Sequence, residues 1–266
     1  MKIVRFVLLV AIGLYLLVVA FLFFAQESFL FQPSGLDSDY QFNFKHEFEE
    51  LNLTMSDGAV INALHFKTDS AKGVILYFHG NAGNLNRWGE IVQYHVGLGY
   101  DVIIMDYRKY GKSKGDWSYD GFLSDAEELY QYAMSIYPED KIVVYGRSLG
   151  TGFASWVAST NRPKMLILES PYTSIGDMAE FFYPLAPARY LIRYNFKPSE
   201  YLKQLSCPLF IIHGTDDLIV PYFFGEQLYD QLKDQKPVSL VTIEGGSHND
   251  LIEYDSYKEG IESILF

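Results

Sequence analysis

Short apolar runs alternate with stretches of helical periodicity along most of this chain, and this alternation limits its possible folds more than any other feature. The runs are four or five residues long. Such runs are typical of strands buried on both faces of a sheet. They are Val74–Phe78, Val102–Met105, Ile142–Tyr145, Met165–Leu168, Leu209–Ile212 and Ser239–Ile243. The predicted helices are Asn86–Val96, Tyr119–Tyr137, Thr151–Thr160, Pro221–Lys233 and Asn249–Leu265.

This alternation predicts an α/β fold with a mostly parallel central sheet and helices on both faces. Before the first buried run, Leu51–Met55 and Ala59–Phe66 predict two antiparallel strands, joined by a turn at Ser56-Asp57-Gly58. In parallel sheets, ligands bind beyond the carboxyl ends of the strands. The residues that follow each strand are therefore the candidate site residues.

The N-terminus carries a different signal, because Phe6 to Ala25 form a run of twenty residues without a charge. A helix of that length spans about 30 Å, the thickness of the hydrocarbon core of a bilayer. Lys2 and Arg5 precede the run, and Glu27 follows it. The positive-inside rule then predicts a single-pass protein with a cytoplasmic N-terminus and an extracytoplasmic body, periplasmic in a bacterium.

Two alternatives to the anchor remain. A cleaved signal peptide would give a secreted protein, but Phe23-Phe24-Ala25 is a poor cleavage site. A buried core helix is the other alternative, although Phe and Leu on every face suit lipid better. We expect a membrane anchor at 1–25, a connector at 26–50 and one α/β domain at 51–266.

Charge and metal-binding patterns exclude several classes of function. The formal net charge of −12 argues against a nucleic-acid partner, since phosphate contacts need clustered Lys and Arg. The one cysteine, Cys207, cannot form an intrachain disulfide. The histidines form no H-x₃-H or H-E-x-x-H pattern, so a zinc site is not expected. We predict neither a metal nor a cofactor.

A G-x-S-x-G motif follows the predicted strand Ile142–Tyr145, with Ser148 at its centre. Between a buried strand and a helix, this motif places serine on a tight, strained turn at the helix N-terminus. The helix dipole there favours developing negative charge. Ser148 is therefore the predicted nucleophile.

A serine nucleophile needs a base, and the base needs an acid to orient it. His248 follows the last strand, and it is the predicted base. Asp216 and Asp217 follow the strand Leu209–Ile212, and Glu169 follows the preceding strand. The residue pattern leaves all three open as the acid. One of the two aspartates would cap the next helix instead.

The glycine-rich segment His79-Gly80-Asn81-Ala82-Gly83-Asn84 follows the strand Val74–Phe78. Small residues there free backbone N–H groups to bind an oxyanion. The N–H groups of Asn81 and Leu149 are the predicted pair. The alternative is a glycine-rich connection that only turns the chain.

Several motifs in a fixed order complete the pattern: His79-Gly80-Asn81-Ala82-Gly83-Asn84, Asp106-Tyr107-Arg108, Gly146-Arg147-Ser148-Leu149-Gly150-Thr151-Gly152, Glu169-Ser170-Pro171-Tyr172 and His213-Gly214-Thr215-Asp216-Asp217. Together they resemble the α/β-hydrolase superfamily. More narrowly, they resemble membrane-anchored serine hydrolases akin to the eukaryotic bud-emergence protein and the ABHD-type acyl-protein hydrolases. Bacterial relatives often carry one N-terminal membrane helix, followed by a segment similar to Phe29-Leu30-Phe31-Gln32-Pro33.

The resemblance implies roles for individual residues. In the family pattern His-Gly-x-x-Asp the fifth residue is the triad acid, which corresponds to Asp217 and leaves Asp216 structural. The family's Gly-His-Asn is Ser247-His248-Asn249 here. In the family's Asp-Tyr-Arg-Gly-Tyr-Gly, Lys109 stands where the pattern has its first glycine.

Aromatic residues are dense between the strands Met165–Leu168 and Leu209–Ile212, where many α/β-hydrolases insert a cap over the active site. We expect a small aromatic-rich cap at about 170–206, with Phe181, Phe182 and Tyr172 as substrate-binding residues. An ordinary packed pair of helices is the alternative.

The function expected from these features is a membrane-anchored serine hydrolase with a Ser148–His248–Asp217 triad. Its substrate would be a small-molecule or lipid-like acyl compound, cleaved at an ester or thioester bond. A peptidase or amidase of the same fold is an alternative. A catalytically inactive binding scaffold is another, although an intact triad argues against it.

Overall fold

A computed structural model describes all 266 residues, and an eight-stranded sheet lies at its centre. The strands are β1 (Phe48–Thr54), β2 (Val60–Phe66), β3 (Val74–Phe78), β4 (Asp101–Met105), β5 (Ile142–Arg147), β6 (Met165–Glu169), β7 (Leu209–Gly214) and β8 (Val238–Ile243). Their order across the sheet is β1-β2-β4-β3-β5-β6-β7-β8. β2 is antiparallel to β1 and β4, and all other neighbours are parallel.

Helices cover both faces of this sheet. The helices of the chain are α1 (Lys2–Leu30), α2 (Leu85–Gly97), α3 (Tyr119–Met134), α4 (Gly150–Thr160), α5 (Ile175–Phe182), α6 (Ala188–Leu191), α7 (Pro198–Tyr201), α8 (Phe223–Leu232) and α9 (Asp255–Leu265). Short 3₁₀ turns lie at Glu139–Lys141, Leu202–Gln204 and Leu251–Glu253. The architecture confirms the predicted fold class.

The core consists of two apolar layers, one on each side of the sheet. In β3, Leu76 and Phe78 belong to the layer that α3, α4 and α8 cover. Ile75 and Tyr77 belong to the layer that α2 and α9 cover. Successive strand residues point to opposite faces, so a strand covered on both sides must be apolar throughout. This requirement explains the uninterrupted apolar runs of the sequence.

One predicted helix differs substantially from the structure. The segment 249–265 was expected to be a single helix, but α9 begins only at Asp255, after a 3₁₀ turn. The Asp250 carboxylate accepts hydrogen bonds from the backbone N–H and the hydroxyl of Ser247, both at 2.7 Å. These local bonds hold the chain in a turn and delay the helix.

The N-terminal helix α1 is long and apolar enough to cross a membrane, with a mean hydropathy of 3.0 over its most apolar window. It continues past Ala25 to Leu30, into the segment expected to be a connector. Phe31 then enters the main core at 3% exposure. Its ring lies about 5 Å from the rings of Trp117 and Tyr194.

The chain beyond Phe31 is bound to two loops at the carboxyl edge of the sheet. The Gln32 N–H donates to Asn81 Oδ1 at 2.9 Å, and the Gly83 N–H donates to the Gln32 carbonyl at 3.2 Å. The Leu36 N–H donates to the Gly111 carbonyl at 3.0 Å. The end of α1 is therefore held in a fixed position beside the Asn81 loop.

Candidate active site

Ser148 lies on the tight turn between β5 and α4, and its φ of +51° is in the left-handed region. That conformation is costly for a residue with a side chain, and surrounding bonds must hold it. The Ser148 N–H donates to the Glu169 carbonyl at 2.9 Å. The backbone N–H and hydroxyl of Thr151 donate to the Ser148 carbonyl at 2.9 and 2.7 Å.

The two glycines of the motif permit this turn because neighbouring residues lie too close to them for a side chain. A Cβ on Gly150 would lie 2.0 Å from the Phe78 carbonyl oxygen. A Cβ on Gly146 would lie 2.6 Å from the Cβ of Ala154. Any side chain at either position would push the turn off the sheet.

His248 and Asp217 form a buried imidazole–carboxylate pair on the loops after β8 and β7. His248 Nδ1 lies 2.7 Å from Asp217 Oδ2, while Asp217 Oδ1 accepts the N–H groups of Ile219 and Val220 at 2.9 and 2.8 Å. Burial raises the pKa of Asp217, but hydrogen bonds from His213, His248 and Val220 outweigh it and hold that pKa well below its ordinary value. An ionised carboxylate at Nδ1 leaves Nε2 of the imidazole free to accept a proton.

The other two candidate acids do not contact His248. The Glu169 carboxylate binds Arg147 Nε at 3.0 Å and accepts the hydroxyls of Tyr145 and Tyr257. Asp216 is exposed, and its carboxylate accepts the Thr215 hydroxyl at 3.3 Å. Asp216 does not cap α8 either, because the residue at that N-cap is Tyr222.

Arg147 connects the serine turn to the histidine loop, a role that the sequence did not suggest. Its Nη2 donates to the carbonyl of His248 at 2.9 Å, while its Nε binds Glu169. Arg147 occupies a variable position of the G-x-S-x-G motif, so the motif gives no signal for it. Through this side chain, the end of β5 directly before Ser148 also holds the backbone at His248.

Asn81 and Leu149 supply two backbone N–H groups beside Ser148, and neither group donates a hydrogen bond within the protein. The Asn81 side chain is held by Gln32 and by the Tyr110 hydroxyl at 2.8 Å. Leu149 directly precedes α4, so its N–H lies at the positive end of that helix. Two free N–H groups of this kind can receive a developing oxyanion.

A cavity of about 330 Å³ opens at Ser148 and extends between α1 and the segment after β6. Its polar lining residues are Gln26, Asn81 and Ser148, and all others are apolar or aromatic. Those others are Val19, Leu22, Phe23, Phe29, Leu30, Leu149, Tyr172, Ile175, Met178, Ala179, Phe182, Tyr183, Ala186, Ala188, Leu191, Ile192, Ile219 and Val220.

The structure separates the three aromatic residues that were predicted to bind substrate. Tyr172 and Phe182 line the cavity, but Phe181 does not. The Phe181 ring contacts the rings of Phe223 and Phe224, at centroid distances of 5.2 and 6.0 Å. Consecutive residues of a helix point about 100° apart, so Phe181 and Phe182 cannot share one face of α5.

The lining residues of α1 are the ones that the sequence did not reveal. They are Val19, Leu22, Phe23, Gln26, Phe29 and Leu30, which recur every three or four residues along one face. Because α1 is apolar on every face, its composition does not mark the face that contacts protein. Gln26 is the one available signal, since it places a polar group on that face.

Comparison with known proteins agrees with this fold. A family model described as the alpha/beta hydrolase fold matches residues 73–191. Lysophosphatidylserine lipase ABHD12 of Danio rerio is 35% identical over 190 residues, which cover 64% of this chain and 50% of the lipase. An uncharacterized protein of Mycobacterium tuberculosis is 28% identical over 254 residues, which cover 94% of this chain and 88% of that protein. The chain spans about half the length of the lipases that it matches.

Solved structures show the same fold. The Pyrococcus furiosus esterase Pf2001 matches with a TM-score of 0.71 and 20% identity, covering 89% of this chain and 97% of the esterase. The acetyl xylan esterase from Paenibacillus sp. R4 matches with a TM-score of 0.68 and 16% identity, covering 86% of each chain.

Proposed function

We propose that this chain, which belongs to the α/β-hydrolase superfamily and is related to its ABHD-type members, is a membrane-anchored serine hydrolase that cleaves acyl ester or thioester bonds. The observation that carries the proposal is the strained Ser148 turn, which the Arg147 side chain connects to the loop of the Asp217–His248 pair, together with two free N–H groups. Each of these residues follows a strand at the carboxyl edge of the sheet, and Ser148, Asn81 and Leu149 line an apolar cavity there.

In the first half of the proposed reaction, Ser148 Oγ attacks the acyl carbon while His248 Nε2 takes the hydroxyl proton. Asp217 stabilises the imidazolium through Nδ1–H. The carbonyl oxygen becomes an oxyanion that the N–H groups of Asn81 and Leu149 bind. When the tetrahedral intermediate collapses, the bond to the leaving oxygen or sulfur breaks, and His248 gives it the proton.

In the second half, water attacks the acyl-serine ester and His248 takes a proton from that water. The same two N–H groups bind the second oxyanion. The bond between the acyl carbon and Ser148 Oγ then breaks, and the serine regains its proton from His248. The products are a carboxylic acid and an alcohol or thiol, and the reaction requires no metal or cofactor.

Esters are the first choice of substrate, because one relative named above is a lipase and the two structural neighbours are esterases. The cavity at Ser148 also suits an acyl chain, since its lining is almost entirely apolar. Each buried CH₂ contributes about 0.8 kcal/mol, nearly fourfold in affinity. Tyr172 and Phe182 are the proposed substrate contacts from the cap.

The test uses the full chain purified in detergent, with a fluorophosphonate probe and p-nitrophenyl butyrate. Ser148→Ala should abolish labelling and lower turnover by several orders of magnitude, as loss of a triad nucleophile does. Ser155→Ala is the matched control, because Ser155 is also buried and its hydroxyl has no hydrogen-bond partner. The control should label like the unmodified chain.

Full labelling of the Ser148→Ala variant would overturn the proposed nucleophile. A panel of acyl esters, thioesters and amino-acid amides then compares bond types. Faster turnover of amides would support a peptidase or amidase instead. An unmodified chain that neither labels nor turns over any substrate would be a binding scaffold.

A further inference from the structure

We infer that the membrane helix α1 is itself a wall of the acyl-binding cavity, so that the acyl chain of a membrane lipid reaches Ser148 along this helix without leaving the bilayer. The inference rests on the proposed function, and it assigns substrate selection to residues of the anchor. Six residues of α1 line the cavity, at positions 19–30. They form one face of the helix, while most of the rest of its surface is exposed.

The cavity extends in the direction of the membrane. Residues 19–30 cover about 16 Å along the helix at about 1.5 Å per residue. The Leu30 end lies beside the Asn81 loop, because Gln32 is hydrogen-bonded to that loop. Val19 and Leu22 lie inside the uncharged run that ends at Ala25, at the depth expected for the hydrocarbon core. One end of the cavity is thus at Ser148, and the other is at the level of the lipid tails.

Polar contacts hold the opposite wall against α1. Gln26 is 4% exposed, and its Oε1 accepts the Arg193 N–H at 2.7 Å. Its Nε2 also donates to the Leu191 carbonyl at 3.3 Å. Glu27 accepts the Tyr194 hydroxyl at 2.6 Å and pairs with the Arg193 guanidinium at 3.3 Å. A helix that served only as a tether would need none of these contacts.

An acyl chain is the occupant that this lining fits. Gln26 makes its hydrogen bonds to the cap and to its own helix, and none of the residues that line the cavity is charged. A long acyl chain would place its ester at Ser148 and its methylenes against Leu22 and Val19. A short acyl chain would end before it reaches either residue.

Two matched substitutions test this assignment in the full chain. Leu22→Trp fills the outer part of the cavity, while Leu17→Trp is the same change at a position that is 67% exposed on the lipid side. The measurement is the ratio of kcat/KM for p-nitrophenyl laurate to that for p-nitrophenyl butyrate, in phosphatidylcholine vesicles. Each excluded methylene costs about fourfold, so Leu22→Trp should lower the ratio by more than tenfold. Leu17→Trp should leave it unchanged.

A third variant, Gln26→Met, keeps the size of the side chain and removes its hydrogen bonds to the cap. It should also lower the laurate-to-butyrate ratio, and it provides a test if Leu22→Trp does not fold. The laurate-to-butyrate ratio could instead be equal in the unmodified chain, Leu22→Trp and Gln26→Met, with butyrate turnover intact. That result would show that α1 is not a wall of the acyl-binding cavity, and the proposed serine hydrolase would stand. Absence of butyrate turnover and of fluorophosphonate labelling in the unmodified chain would overturn the proposed function itself.

Discussion

At the scale of single residues, the two oxygens of Asp217 have different partners, and this difference predicts the effect of Asp217→Asn. Oδ1 accepts two backbone N–H groups, so the amide oxygen of an asparagine must take that place. The NH₂ group then faces His248 Nδ1, which forces the imidazole proton onto Nε2. A base in that tautomer cannot take the Ser148 proton, so kcat should fall about 10⁴-fold.

Two isosteric changes serve as controls for Asp217→Asn. Asp216→Asn alters an exposed carboxylate one residue away and should leave kcat unchanged. Glu169→Gln weakens a buried ion pair with Arg147, so it should lower the stability while sparing most of the activity. If Glu169→Gln proved crippling and Asp217→Asn mild, the acid would lie after β6 rather than after β7.

A second residue-scale prediction concerns acid sensitivity, through His95. Burial lowers the pKa of His95 from 6.5 to about 4, and neither ring nitrogen has a hydrogen-bond partner. Between those pH values the unfolded chain binds a proton that the folded protein excludes, so stability falls as the pH decreases. From pH 7.5 to pH 5 this single group should cost about 2 kcal/mol.

His95→Phe should remove that part of the pH dependence, since the ring lies among Tyr77, Tyr94 and Tyr145 and a phenyl group suits the site. Urea unfolding of the full chain in detergent, at pH 7.5 and pH 5, measures the difference. Equal losses of stability in His95→Phe and the unmodified chain would show that another group causes the acid sensitivity.

At the scale of elements, the strands could be predicted because a strand that is buried on both faces consists almost entirely of apolar residues. Helix ends were less predictable where side chains bond locally, as Asp250 does before α9. At the site, the serine turn and the loops that bring Asp217 and His248 together follow from motif and strand position. The contribution of α1 was not predicted, because apolar residues lie on every face of this helix and only Gln26 marks the face that meets protein.

The short helix α5 gives the element-scale prediction, because its two final residues face different surroundings. Phe182 lines the cavity, while Phe181 packs on Phe223 and Phe224 outside it. Phe182→Ala should flatten the rise of kcat/KM with acyl length from C2 to C6, and Phe181→Ala should not. Turnover of the C2 ester should be similar in both variants, because neither ring belongs to the triad. A larger effect of Phe181→Ala would mean that α5 turns its other face to the substrate.

At the scale of the whole molecule, the apolar helix α1 and the α/β domain are joined without a loose tether. Phe31 is buried in the domain core directly after α1, and Gln32 is bound to the Asn81 loop. In the proposed membrane-anchored protein, the orientation of α1 therefore fixes the orientation of the Ser148 edge of the sheet toward the membrane. A flexible connector would have left that orientation open.

The last prediction follows from this rigid junction and concerns topology. A reporter active only outside the cytoplasm, fused after Phe266, should be active in a bacterial host, because Lys2 and Arg5 hold the N-terminus inside. Lys2→Glu with Arg5→Glu should reduce that activity, and Glu27 is left unchanged because it binds Tyr194.

The N-terminal sequence of the mature protein should begin before Phe6, since cleavage after Ala25 would remove Val19, Leu22 and Phe23 from the cavity wall. A mature chain that begins at Gln26 would show a cleaved signal peptide, and it would separate the catalytic domain from any wall built by the membrane helix.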